Sequence, residues 1–106
     1  MRHELHLASD LGTYLAEGAR AAEYRLRHIE PVFSVYETVV LDFTGVRGAN
    51  SSFANALIVP LFVQHGVGTR AKLRFRGCNA VVKLMLESAL TLGMKAAQEQ
   101  GGHAYA

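Results

Sequence analysis

A chain of 106 residues, half of them apolar and only two of them proline, can build one packed core but not two, and is too apolar to stay disordered. Eleven Lys and Arg against nine Asp and Glu leave a formal charge of +2, too balanced to imply nucleic acid or an anionic membrane by itself. The single cysteine, Cys78, excludes an internal disulfide framework and a multi-cysteine zinc site, and makes a reducing compartment the simpler home.

The opening residues RHELHLA alternate, with Leu5 and Leu7 on one face and His6 on the other, which predicts a short strand. Ser9-Asp10-Leu11-Gly12 follows as a turn or the start of a helix. This N-terminus has no apolar stretch of the kind a secretory signal needs. From Thr13 to about Glu30, Leu15, Ala19, Ala22, Leu26 and Ile29 recur at steps of four, three, four and three, the stripe of an amphipathic helix. Glu23 and Arg27 make an i,i+4 pair on its polar side. Pro31 should end or kink this helix near Ile29, because proline pushes its predecessor out of the α region.

Glu37 to Phe43 reads as the second strand, with a centre apolar on both faces, as in a strand covered on both sides by helices. A loop with Gly45 and Gly48 leads to Asn50-Ser51-Ser52, where a helix from about Ser52 to Gln64 begins. That helix is apolar nearly all round, and between Arg47 and Arg70 there is no Asp, Glu, Lys or Arg. Either other helices bury its far side or an apolar face is left for another chain. Pro60 should remove the hydrogen bond to Ala56 and bend it, unless the helix is in two pieces. Its longest apolar run, Ala56 to Val63, falls far short of the roughly 20 residues of a spanning helix. A soluble, cytoplasmic protein is expected.

Ala71 to Phe75 alternates, with Ala71, Leu73 and Phe75 inward and Lys72, Arg74 and Arg76 outward, as in a strand with an uncovered face or near a sheet edge. Asn79 can cap a final helix whose buried stripe is Val81, Val82, Met85, Ala89 and Leu92. This helix ends at Gly93 or runs to about Gln100, and Gly101-Gly102 release a tail over 101–106. Strand and helix alternate along the whole chain, which predicts a single α/β domain with a mixed or mostly parallel sheet of about four strands.

The chemistry concentrates between Asp42 and Leu57. Asp42 lies at the carboxyl end of a strand, and Asn50 or Ser51 can cap the next helix by accepting a backbone N–H. Two readings stand side by side: the three polar residues only cap, or a serine hydroxyl takes a phosphate or meets a partner. A phosphate there would find free N–H donors and the positive end of the helix dipole, with Arg47 near in sequence as a counter-charge. No nucleophile elbow, phosphate loop or dinucleotide fingerprint occurs, and Asp42 has no second carboxylate or histidine base beside it in the sequence, so no catalytic residue and no cofactor is expected.

The five histidines are scattered with no ligand spacing, so no metal site is expected. Cys78 is a small hydrophobe or a thiol activated at a helix start. Arg70, Lys72, Arg74 and Arg76 form a basic strip that either guards an edge strand or receives an acidic partner; nucleic acid is the weaker match.

LDFTGV over 41–46, NSSFANAL over 50–57 and LRFRGCNAVVKLMLESAL over 73–90 resemble the STAS-like domain family of unknown function, and GTYLAEGARAAEYR upstream fits the same pattern. The resemblance covers about residues 11 to 93, and the NSSF motif after the LDFTGV strand is its most specific part. The family is a distant relative of the STAS domains of anti-sigma factor antagonists, which are bacterial. In those, the matching loop reads Asp-Ser-Ser-Gly, and its first serine is phosphorylated by a partner that is both an ATP-dependent kinase and an anti-sigma factor. The resemblance thus implies Ser51 as phosphoacceptor and Ser52 as its neighbour. Asn50 stands where that loop has Asp, removing a charge, and Phe53 stands where it has Gly, adding bulk. Together these readings describe a non-enzymatic regulatory module. Asp42, Arg47, Asn50, Ser52 and Phe53 would surround a Ser51 switch and meet a protein partner, a histidine-kinase-like ATPase or anti-sigma factor. The alternatives are a small-ligand or anion-binding domain at the same helix N-terminus and a homodimer or larger scaffold built on the apolar helix.

Overall fold

The computed structural model describes residues 1–103. β1 (Arg2–His6), β3 (Thr38–Asp42) and β5 (Leu73–Arg76) form a parallel sheet in the order β1-β3-β5. The register aligns His6 with Asp42 and Asp42 with Arg76, so the three carboxyl ends lie side by side. β2 (Tyr14–Leu15) and β4 (Gly48–Ala49) make a separate parallel pair. The single sheet of about four strands expected from the sequence is thus three strands plus a two-stranded clip.

Strand alternation sorts the larger sheet into two unlike faces. Leu5, Val39, Leu41 and Leu73 join the core, with Phe75 packed against it. Arg2, Glu4, His6, Val40, Asp42, Arg74 and Arg76 occupy the opposite face. Val40 is buried there, aligned with Glu4 and Arg74, but lies outside the core cluster. The second strand is therefore not covered by helices on both sides. Its apolar run is buried against helices on one face and between long polar side chains on the other. β5 is an edge strand, as its alternation implied.

The first long helix starts later than its pattern suggested, because Tyr14–Leu15 is drawn into the pair with β4. After α1 (Leu7–Leu11) and β2, α2 (Gly18–Tyr24) runs through a π-helical turn (Arg25–Ile29) into α3 (Glu30–Phe33). Ala21, Tyr24, Ile29 and Phe33 are its buried residues, and the five-residue step from Tyr24 to Ile29 spans the π turn. Of the expected stripe, Leu15 and Ile29 are buried, but Ala19 is exposed and Ala22 half-buried before the π turn begins, and Leu26 within it is 60% exposed. Pro31 does not stop the helix, since it falls in the first turn of α3, where a missing N–H costs little.

α4 (Ser51–His65) is one piece despite Pro60. Proline cannot donate to the Ala56 carbonyl, and the Arg25 Nε donates to it instead, at 3.1 Å. α2 flanks α4 on one side and α6 (Ala80–His103) on the other. Phe53, Ala54, Leu57, Ile58, Leu61 and Phe62 are all buried, while Ala56, Val59 and Pro60 are half-buried and Val63 is 40% exposed, so a strip of the apolar helix stays uncovered. α6 meets α4 at Gly93, where any Cβ would collide with the buried Phe62 ring. Val82 and Ala89 of the expected stripe face inward and Met85 packs against the core, joined by Leu86, Leu90 and Ala97, while Val81 and Leu92 at its two ends are 53% and 48% exposed.

The strand expected from Ala71 begins at Leu73, because Thr69–Lys72 forms a helical turn, α5. Thr69 Oγ1 donates to the Leu61 carbonyl and locks this turn onto α4. Gly93 does not end α6, and of the tail expected after Gly101-Gly102, residues 104–106 lie outside the described residues. Among the described residues no helix is long and apolar enough to cross a membrane.

Candidate functional site

The loop from β3 to α4 is held almost wholly by backbone and asparagine hydrogen bonds. Phe43 N donates to the Arg76 carbonyl at 2.7 Å, and Val46 N returns to Phe43 O at 2.9 Å across Gly45, whose φ of 89° suits glycine. Arg47 N donates to Thr13 O and Asn50 N to Leu15 O, fastening the loop to the segment before α2. Asn50 Oδ1 accepts Phe53 N at 2.9 Å while its Nδ2 donates to Ala16 O at 2.9 Å. Asn79 does the same at α6, accepting Val82 N and donating to Arg47 O at 2.8 Å. Asn79 caps α6 as expected, and of the two candidates at α4 it is Asn50 rather than Ser51 that takes the cap.

Because Asn50 takes the cap, Ser51 and Ser52 stand exposed on the first turn of α4, with Arg47 exposed beside the loop. Among the described residues, no hydrogen bond joins either serine to a histidine or a carboxylate. Ser52 Oγ lies 2.9 Å from where a Cβ on Gly18 would sit. The start of α2 therefore packs against the first turn of α4, where the N–H groups that Asn50 does not take stand at the positive end of the α4 dipole.

Two of the residues assigned to this surface are not on it. Phe53 is 2% exposed and belongs to the core, because the turn that frees the serines rotates position 53 inward. Asp42 is 8% exposed and turned to the open face of the sheet. It accepts Thr44 N at 2.9 Å and Arg76 Nη2 at 3.1 Å, and His6 Nδ1 lies 3.4 Å away. Hydrogen bonding from Thr44, with the Arg76 guanidinium, holds its carboxyl at about 2. The same guanidinium pairs with Glu4, which Arg2 also reaches at 3.3 Å, and it lowers the Glu4 carboxyl as well.

Glu4, His6, Asp42 and Arg76 thus form a clasp across all three strands that sequence spacing did not reveal. Its members are 72 residues apart at the extreme, and only the parallel register brings them together. Ligand atoms of Glu4, His6 and Asp42 fall within 4.8 Å of one another, a spacing a metal could use. Arg76 lies among them, however, and with Arg2 balances both carboxylates, so the cluster is already neutralised.

The basic strip also divides. Lys72 sits 5.2 Å over the Phe33 ring, Arg76 is in the clasp, and Arg70 and Arg74 line a groove at the outer edge of β5. Cys78 is half-buried there, and burial pushes its thiol up, away from a reactive thiolate.

No curated protein and no solved structure matches this chain. The family described as a STAS-like domain of unknown function does match, over residues 22–83, more than half of the sequence and including both β3 and the Asn50-capped start of α4. The chain belongs to that STAS-like family.

Proposed function

We propose that this domain is a non-enzymatic regulatory module that binds another protein through the corner at 47–52, with Ser51 as its switch. The observation that carries this reading is the division of labour at the start of α4: Asn50 satisfies the cap, so the exposed serine hydroxyls are not needed to hold the helix. A phosphate on Ser51 would meet first-turn N–H donors and the helix dipole with no backbone rearrangement, and would add charge of about −2 to a surface whose nearest loop cation is Arg47. The partner the family likeness suggests is a histidine-kinase-like ATPase or anti-sigma factor. Contact residues are Arg47, Asn50, Ser51 and Ser52; Phe53 and Asp42 act only by fixing the helix and the strand end.

The test is intact mass after incubation with ATP and the histidine-kinase-like ATPase encoded nearest to this chain. One added phosphate on the wild type and none on Ser51→Ala is the expected result. No added phosphate with a kinase active on its own substrate would remove the switch.

A second reading rests on the convergence at Gly18 and Ser52. The first-turn N–H groups of α4, beside the close contact of Gly18 with Ser52, would also suit a small anion. Thermal stabilisation by millimolar phosphate or sulfate, lost in Gly18→Ala with its fold intact, would favour it, and no stabilisation by any anion would count against it. The scaffold reading would have to use the strip of α4 that α2 and α6 leave uncovered, at Val59, Pro60 and Val63.

A further inference from the structure

β5 is the outer strand of its sheet, and among the described residues the backbone groups on its outer side have no strand to pair with. Arg76 turns its carbonyl to β3, where Phe43 N donates to it. Alternation therefore points the backbone of Leu73 and Phe75 the other way. Leu73 N is used by the carbonyl of Thr69, and Leu73 O is met only by the Arg74 guanidinium, at 3.4 Å. That leaves the Leu73 carbonyl and both backbone groups of Phe75 as the start of an unpaired ladder.

This edge borders a groove of about 330 Å³ between β5 and α6. Its floor is apolar, formed by Phe75, Leu86 and Leu90, and its rim carries Arg70, Arg74 and Lys83. Glu87 is the one carboxylate of the lining, so the rim has two positive charges in excess. All three cations are exposed.

We propose that the free edge of β5 takes an extended, acidic segment of a partner protein as an added strand. Its main chain would pair with Leu73 and Phe75, its apolar side chains would enter the groove, and its carboxylates would meet Arg70, Arg74 and Lys83. Charge selects this occupant. A second copy pairing edge to edge would set Arg74 against another basic β5, and like charges across a ladder are unfavourable. Nucleic acid would use the cations but neither the apolar floor nor the strand edge. The same charges that guard the edge against neutral strands thus make it selective for acidic ones.

Fluorescence anisotropy with a labelled alternating Glu-Val hexapeptide tests this. Saturable binding is expected, weaker by about tenfold for the Gln-Val counterpart and by a similar factor for the wild-type peptide on Arg74→Glu/Lys83→Glu, one such step being about 1.4 kcal/mol. The Glu-Val peptide N-methylated at every residue keeps its charge but has no N–H to give to the ladder, and it should not bind. This control leaves the protein untouched, so a misfolded variant cannot confuse the outcome. Equal binding of the N-methylated peptide, no saturation at millimolar peptide, tighter binding of a single-stranded oligonucleotide, or self-association through β5 would each overturn the proposal.

Discussion

At Pro60 the backbone of α4 loses a donor, and the Ala56 carbonyl is satisfied from another helix by Arg25. Arg25 also lies 3.6 Å from Glu30, whose other oxygen meets His65 Nε2 at 2.8 Å, so one half-buried chain of polar groups joins the π turn, α3 and the end of α4. Arg25→Ala strips a partner from a carbonyl and a carboxylate at once and should cost about 2–3 kcal/mol in urea denaturation. Pro60→Ala restores an N–H to the Ala56 carbonyl, so the double variant should recover part of that loss. Strict additivity of the two would show that the carbonyl was never at stake. Asp42 gives a second residue-scale prediction. Its folded carboxyl is held at about 2, below the ordinary 3.8, so the stability it contributes is present above 3.8 and is lost as pH falls toward 2. Asp42→Asn should lower stability at neutral pH and flatten the acid limb of the stability profile between these values. An unchanged slope by thermal denaturation at graded pH would contradict the clasp.

Among the elements, the contact of α4 with α6 turns on Gly93. Gly→Ala inside a helix normally gains about 1 kcal/mol of propensity, but here the new methyl meets a Phe62 ring that is fully buried and cannot yield. Gly93→Ala should therefore destabilise by about 1–3 kcal/mol, and a stabilised variant would mean that the helices can part. This scale also shows what the sequence made legible. Both capping asparagines, the apolar α4 and the edge character of β5 follow from local chemistry, and each was readable. The start of α2 was not, because Tyr14–Leu15 is claimed by a two-residue partner 34 positions on. The inward face of α2 at Ala21 and Tyr24 is set by its packing on α4, and the five-residue step on to Ile29 comes from a π turn that a 3.6-residue period does not contain. The inward face of α6 depended on Gly93, which by composition alone reads as a helix end.

For the whole molecule, helices lie on one face of the β1-β3-β5 sheet and a charged clasp lies on the other, while the serine corner and the β5 edge are separate surfaces. The serines of that corner could be placed from sequence because a strand, a glycine loop and a cap are local features. The Glu4–Asp42–Arg76 clasp could not, since it exists only once strand order and register are known. With only a narrow strip of α4 at Val59, Pro60 and Val63 left uncovered between α2 and α6, light scattering should report a monomer at every concentration, and a concentration-dependent dimer would support the scaffold reading instead. The interaction corner itself is tested most directly by amide hydrogen exchange on the chain with and without the ATPase partner. Slowed exchange over 47–56, abolished in Ser51→Asp while the remaining amides exchange as in the wild type, is the predicted result. Protection confined to other segments, or a complex indifferent to Ser51→Asp, would contradict a regulatory surface at this corner.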